Sequence, residues 1–236
     1  MEVRVNSAAC LRLGTILLAA LPLAAQIDTE PSWNGTQFIS SFGNPNTATY
    51  GQTVTVPLGS PGTLTRFSFQ IGNCSAAVTA RAHIYAFNGS TATGSSLFSS
   101  APFVIPSGSA FNRITVNTGN LTLPGGLYVF FFSISQDPGA GGSCRYGSVT
   151  NTAYSGGQFV FQNNGTDTSQ WTSTTWSTIA SDLAMQSDLN IGAVSRVNVF
   201  SVPTLSEWAM IFLGCAFAFL AWRRLSSSQG TPSNPA

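Results

Sequence analysis

The stretch "TLTRFSFQI", residues 63–71, decides the fold. Phe67, Phe69 and Ile71 fall on one side of an extended chain; Arg66, Ser68 and Gln70 fall on the other. Side chains of a strand alternate between two faces, so this period of two reads as a half-buried β-strand. The pattern recurs. In "AVTARAHIYAF", residues 77–87, Val78, Ala80, Ala82, Ile84 and Ala86 share an apolar face. Thr79, Arg81, His83 and Tyr85 share the other, which places His83 on a polar surface. "FNRITVNT", residues 111–118, sets Ile114 and Val116 together. "GLYVFFFSIS", residues 126–135, is nearly continuous apolar and reads as a strand buried on both faces. "GGQFVFQNNG" and "SDLAMQSDL" supply two late strands.

The punctuation agrees. Pro61-Gly62, Asn88-Gly89, Pro124-Gly125-Gly126, Asp137-Pro138-Gly139 and Asn164-Gly165 are turn sequences. No amphipathic helical period of useful length stands between residues 30 and 200, and no fixed-period repeat is present. Many short strands separated by turns imply an all-β domain, an antiparallel sandwich or jelly roll, over residues 26–200.

Charged residues make up 7% of the chain, the formal net charge is +1, and there is no lysine. That balance offers no electrostatic footing for nucleic acid. Ser, Thr, Asn, Gln and Gly must solvate the surface, a composition suited to an exported β protein. Cysteine usage fits. Cys10 and Cys215 lie in the terminal apolar segments, which leaves Cys74 and Cys144 for the domain. In an oxidising compartment these two most simply form one disulfide, two free thiols being the alternative.

Both ends read as targeting segments. Arg4 and Arg12 precede the apolar run Leu13–Ala25, a secretory signal peptide with a cut expected after Ala25, or an uncleaved anchor as the alternative. At the other end stands "SVPTLSEWAMIFLGCAFAFLAWRRLSSS", residues 201–228. From Trp208 to Trp222 the chain is apolar or small for fifteen residues, with a tryptophan at each end. A short transmembrane helix is expected there, below the roughly twenty residues of a comfortable span. Arg223 and Arg224 follow and would hold the C-terminus in the cytoplasm, with 225–236 a polar tail. Pro203 favours an extended lead-in, and Ser206 is placed to cap the helix.

Two resemblances enter on these residues. The running order "TATYGQTVTVP", "LTRFSFQI", "RAHIYAFNG", "LYVFFFSIS", "GGQFVFQNNG" and "SDLAM" resembles the β-sandwich ectodomain of bacterial exported proteins in the PEP-CTERM and related anchor classes. The tail resembles the IPTL-CTERM sorting signal: Val202, Pro203, Thr204, Leu205, Ser206, Glu207 and Trp208 follow its Ile-Pro-Thr-Leu-Ser-Glu-Trp phrase with Ile changed to Val, ahead of an apolar run and a basic pair. That resemblance implies residues 201–224 are recognised by an exosortase-type membrane enzyme. It implies cleavage, transfer to a surface carrier, and a membrane-held precursor facing the periplasm or exterior.

Residues suited to chemistry are few. His83 is the only histidine, and no Gly-x-Ser-x-Gly elbow accompanies it. A glycosidase needs two carboxylates, for which Asp137, Asp167, Asp182 and Asp188 are the candidates, Asp137 in a turn it would itself serve. "QNNGTDTSQ", residues 162–170, gathers Asn163, Asn164 and Asp167, either a turn or a weak calcium loop. Trp33, Trp171 and Trp176 are core residues or sugar-stacking platforms. Asn34-Gly35-Thr36 and Asn164-Gly165-Thr166 are glycosylation sequons. The expectation is a non-enzymatic surface protein with no metal and no cofactor. A carbohydrate-binding module of an extracellular matrix and a secreted hydrolase are the alternatives.

Overall fold

The computed structural model describes residues 24–44, 47–139, 141–191 and 205–227. The chain divides into two compact units, Met1–Val194 and Ser195–Ala236. In chain order the first unit holds β1 Ala24–Asp28, β2 Phe38–Asn44, β3 Thr49–Val56, β4 Gly62–Cys74, β5 Val78–Phe87, β6 Ala92–Ser99 and β7 Phe103–Ile105. Then come β8 Gly108–Leu123, β9 Gly126–Ser133, β10 Gly142–Thr150, β11 Phe159–Gln162, β12 Ser177–Thr178, β13 Ser181–Leu183 and β14 Met185–Ile191. A 3-10 turn, Glu30–Ser32, and a single α-turn, α1 Gln170–Ser173, are its only helical pieces among the described residues. The second unit carries α2, Leu205–Ser227.

The strands form two seven-stranded antiparallel sheets. The first runs β1-β14-β4-β10-β13, with β8 on the free side of β4 and β2 on β10. The second runs β12-β11-β3-β9-β5-β6, with β7 beside β6 on the edge of β5. The all-β sandwich read from residues 63–71 is this architecture. Phe67, Phe69 and Ile71 of β4 are fully buried. The two rings meet Phe130 and Phe132 of β9, with Phe67–Phe130 centroids 5.3 Å apart and Phe69–Phe132 5.0 Å apart. Phe42, Tyr50, Tyr146 and Phe159 continue the stack toward one end. Each buried ring contributes about 2 kcal/mol of transfer energy and each well-placed ring pair about 1 kcal/mol more.

Cys74 and Cys144 form the disulfide, across 70 residues of sequence. It fastens the end of β4 to β10, beside the Gly72–Arg145 cross-strand pair. Cys215 is free and exposed.

"SDLAMQSDL" is not one strand. The chain ascends along β10 as β13, turns at Ala184 and descends along β4 as β14. Ala184 holds the fork, its N–H donating to Gly147 O at 2.8 Å and its carbonyl accepting from Gln70 N at 2.9 Å. Alternation reports which face a side chain takes; it does not report which strand lies alongside. Gln52 locks the branch. Its amide nitrogen donates to Asp182 at 2.7 Å and its amide oxygen accepts from Leu183 N at 3.0 Å.

β9 is buried on both faces, as its unbroken apolar run implies. What covers its outer side was not legible. Residues 163–176 fold back over the second sheet as a third layer. Trp171 and Trp176 are 3% exposed and pack with Phe131, Val129, Val160, Phe87 and Ala92. Neither tryptophan offers a ring to a sugar, which corrects that expectation. His83 lies beneath the same layer at 2% exposure rather than on a polar surface. A period of two identifies a second face, and here that face is also interior.

The fit depends on Gly51. It pairs with Phe131 on one side and Val160 on the other. A Cβ there would stand 2.6 Å from Phe131 Cβ and 2.8 Å from Phe130 O.

Residues 1–23 lie outside the described residues, and so does the signal peptide expected at 1–25 apart from its last two positions. β1 begins at Ala24, so a cut after Ala25 would leave Gln26–Asp28 paired with Asp188–Gln186. Among the described residues no helix is long and apolar enough to cross a membrane. The transmembrane helix expected at 208–222 is therefore not supported. Its unbroken apolar run of fifteen residues rises about 22 Å, against roughly 30 Å of hydrocarbon. Ser206 lies inside α2 rather than at its cap.

Overpacking at a tight core site costs about 2 kcal/mol. Gly51→Ala is therefore expected to lower Tm by roughly 4–8 °C in a domain of this size, read by near-UV circular dichroism. An unchanged Tm would show that the outer layer does not rest on this glycine.

Candidate functional site

Val202, Pro203 and Thr204 fall outside the described residues. Leu205, Ser206, Glu207 and Trp208 form the first turn of α2. Arg224, in the last turn of α2, complements the negative end of the helix. Arg223 reaches back over the Phe219 ring, 6.0 Å from its centroid. Between these ends Met210, Phe212, Leu213, Phe217, Phe219, Leu220 and Trp222 are each more than half exposed. At 100° per residue they circle the whole helix. A helix apolar all round is stable only in apolar surroundings.

The carboxylates of the sandwich are held apart, each by its own partner. Asp137 takes Arg81 bidentately, at 2.6 and 3.1 Å. It serves an ion pair, not merely its turn. Asp188 pairs with Arg66 at 2.7 Å, and Glu30 pairs bidentately with Arg113. Asp182 is fully buried, accepting from Gln52 and from Tyr154 N. Burial raises its pKa above the ordinary aspartate value, and the two donors act against that rise. Asp167 accepts from Ser169 Oγ, Ser169 N and Gln170 Nε2, which lower its pKa.

In the loop before α1, Asn164 accepts from Thr49 Oγ1 and donates to Ser135 Oγ and Asp167 O. Asn164 and Asp167 are thus engaged in folding the loop onto the sheet. Among the described residues no group of three or more His, Cys, Asp and Glu side chains is placed to hold a metal ion.

His83 stacks on Phe131 with centroids 5.1 Å apart and meets Trp171 at 4.8 Å. Desolvation, then the charge of Arg81, lowers its pKa to about 4, with Asp137 acting weakly the other way. Neither ring nitrogen has a hydrogen-bond partner. The histidine is an uncharged filler of an aromatic layer, remote in chemistry from a general base.

Trp33 has a different setting, on the outer face of the first sheet. Its ring lies over Gly147 of β10, where a Cβ would come within 2.9 Å of Cε2. Its edge meets Phe111 of β8 at 5.1 Å, and its indole N–H donates to Gln37 O at 2.7 Å. Gly147 pairs across to Phe38, which is 39% exposed. The guanidinium carbon of Arg145 lies over the Phe38 ring, 4.0 Å from its centroid. Apart from Trp33, this patch went unread in the sequence because Phe38 and Arg145 belong to β2 and β10, which carry little alternation. The one signal was Arg145-Tyr146-Gly147, with a large aromatic between a charge and a glycine.

A cavity of about 60 Å³ opens at one end of the sandwich among Gly43, Asn44, Ala48, Ile134, Pro138 and Thr166. It is far below the few hundred Å³ of a ligand pocket.

Fold and tail together define a β-sandwich domain carrying a C-terminal signal segment. A family model of the IPTL-CTERM motif matches residues 200–226. The chain therefore carries a sorting motif of that kind, placed on α2 and the residues just before it. No curated protein and no solved structure matches the chain.

The His83 environment gives a pH test. The folded pKa lies below the unfolded value of 6.5. Stability is therefore full above pH 6.5 and is lost as pH falls toward 4, by roughly 3 kcal/mol. The difference between wild type and His83→Phe, from urea unfolding at pH 7 and pH 4.5, should show this loss in wild type alone. Parallel losses would mean that His83 takes up its proton in the folded state.

Proposed function

We propose that the chain is an exported, surface-directed protein whose tail is an address. The β-sandwich is the cargo. Export begins at residues 1–25. The apolar helix then holds the precursor at the membrane, with Arg223 and Arg224 kept on the cytoplasmic side by the positive-inside preference. An exosortase-type enzyme recognises residues 202–208 and cuts at or near them, freeing the domain for a surface carrier. The single observation that carries the reading is the IPTL-CTERM match at residues 200–226.

Two physical features support a removable hold. The apolar run is too short to anchor comfortably, so retention is marginal. Pro203 fixes its own φ and biases Val202 to extended geometry, the form in which a protease takes its substrate. The sandwich itself performs no catalysis in this reading. The separate engagement of each carboxylate and the burial of His83 support that view.

Cell fractionation tests the address. Wild type should distribute to the membrane and cell surface. A chain ending at Phe200 should appear folded in the medium or periplasm, and Pro203→Ala with Trp208→Ala should accumulate as membrane-held precursor. Wild type and the truncated chain found together in one fraction would overturn the proposal.

A further inference from the structure

We propose that the outer face of the first sheet binds an acidic polysaccharide, with a uronate carboxylate at Arg145 and its sugar ring against the Trp33 shelf. The argument starts from charge. Arg66, Arg81 and Arg113 of the sandwich each carry a carboxylate partner. Among the described residues Arg145 has none. In a chain that is 7% charged and lacks lysine, an uncompensated cation is conspicuous.

Its geometry is set. Its guanidinium carbon sits 4.0 Å from the centroid of the Phe38 ring, which seats the cation on that ring. A planar fork of donors held in place suits bidentate pairing with a carboxylate.

The surroundings suit a sugar. Phe111, Gly72 and Arg145 form one cross-strand row. Gln70 and Gly147 lie one step along β4 and β10 on the same face. The two glycines admit close neighbours: a Cβ at Gly147 would meet the Trp33 ring at 2.9 Å, and one at Gly72 would sit 2.1 Å from Ala110 O. Trp33 lies over Gly147, next to the half-exposed Phe38. Pyranose rings present apolar C–H faces to aromatic rings and hydroxyls to an amide such as Gln70. A uronate adds the one negative charge that Arg145 lacks. Charge complementarity thus selects an acidic glycan over a neutral one. The patch lies wholly on the sandwich, so this assignment does not depend on the fate of the tail.

The test is affinity electrophoresis of the full chain in mild detergent, through gels containing polygalacturonate. Hydroxyethyl cellulose serves as the uncharged glycan and polystyrene sulfonate as the polyanion without a sugar ring. Wild type should be retarded by polygalacturonate alone. Arg145→Gln should weaken that retardation at least tenfold without lowering Tm, and Trp33→Ala should also weaken it. If Trp33→Ala fails to fold, Arg145→Gln still decides. Absence of retardation, equal retardation in either control gel, or an unchanged Arg145→Gln would overturn the proposal.

Discussion

Phe131 points away from the sandwich core and still is not exposed. His83, Trp171 and Trp176 close around it, with ring centroids within 5.2 Å. That closure is the constraint on which the rest of the second sheet depends. β9 presents Phe130 and Phe132 to one side and Val129 and Phe131 to the other, so a two-layer sandwich would leave large apolar area in water. The segment 163–176 supplies the missing cover. Polar anchors hold it at several points: Trp171 Nε1 donates to Thr49 Oγ1, Trp176 Nε1 to Trp171 O, and Gln162 Nε2 to both Gln170 O and Thr174 O. Buried N–H groups are expensive to leave unpaired, so the hydrogen bonds fix where the layer sits while the rings supply its drive.

Charge is used sparingly within this frame. Among the described residues three ion pairs, partly exposed, join elements remote in sequence. Pairs of that kind contribute at most about 1 kcal/mol each, so they set register and surface character more than stability. Cohesion comes from rings, from one disulfide and from hydroxyl and amide networks such as Thr49–Ser133–Ser135–Asn164. A surface so poor in fixed charge makes Arg145, without a carboxylate partner among the described residues, distinctive. It also suits a domain meant to sit on a cell exterior rather than to meet nucleic acid.

The inner core was legible because Phe67, Phe69 and Ile71 obey a strict period of two. The Cys74–Cys144 bond was legible from number and compartment. The outer layer was not. Residues 163–176 are rich in Ser and Thr, with two tryptophans, a composition shared by exposed loops and by covers folded onto sheets. Only the tertiary partner of Phe131 distinguishes the two. His83 was misread for the same reason, since Arg81 and Tyr85 beside it made the face look wet. The fork at Ala184 and the shelf at Trp33 depend on cross-strand neighbours more than 30 residues away, which local pattern does not encode. The tail was the most legible part, because its motif, apolar run and basic pair stand in linear order.

The account rests most heavily on that tail being removed. Intact mass of the protein recovered from its native cell surface tests this directly. The account requires a polypeptide that ends at or near residues 202–208, with or without the added mass of a carrier. A mass that runs through Ala236 would contradict it and leave α2 as a permanent part of the mature protein.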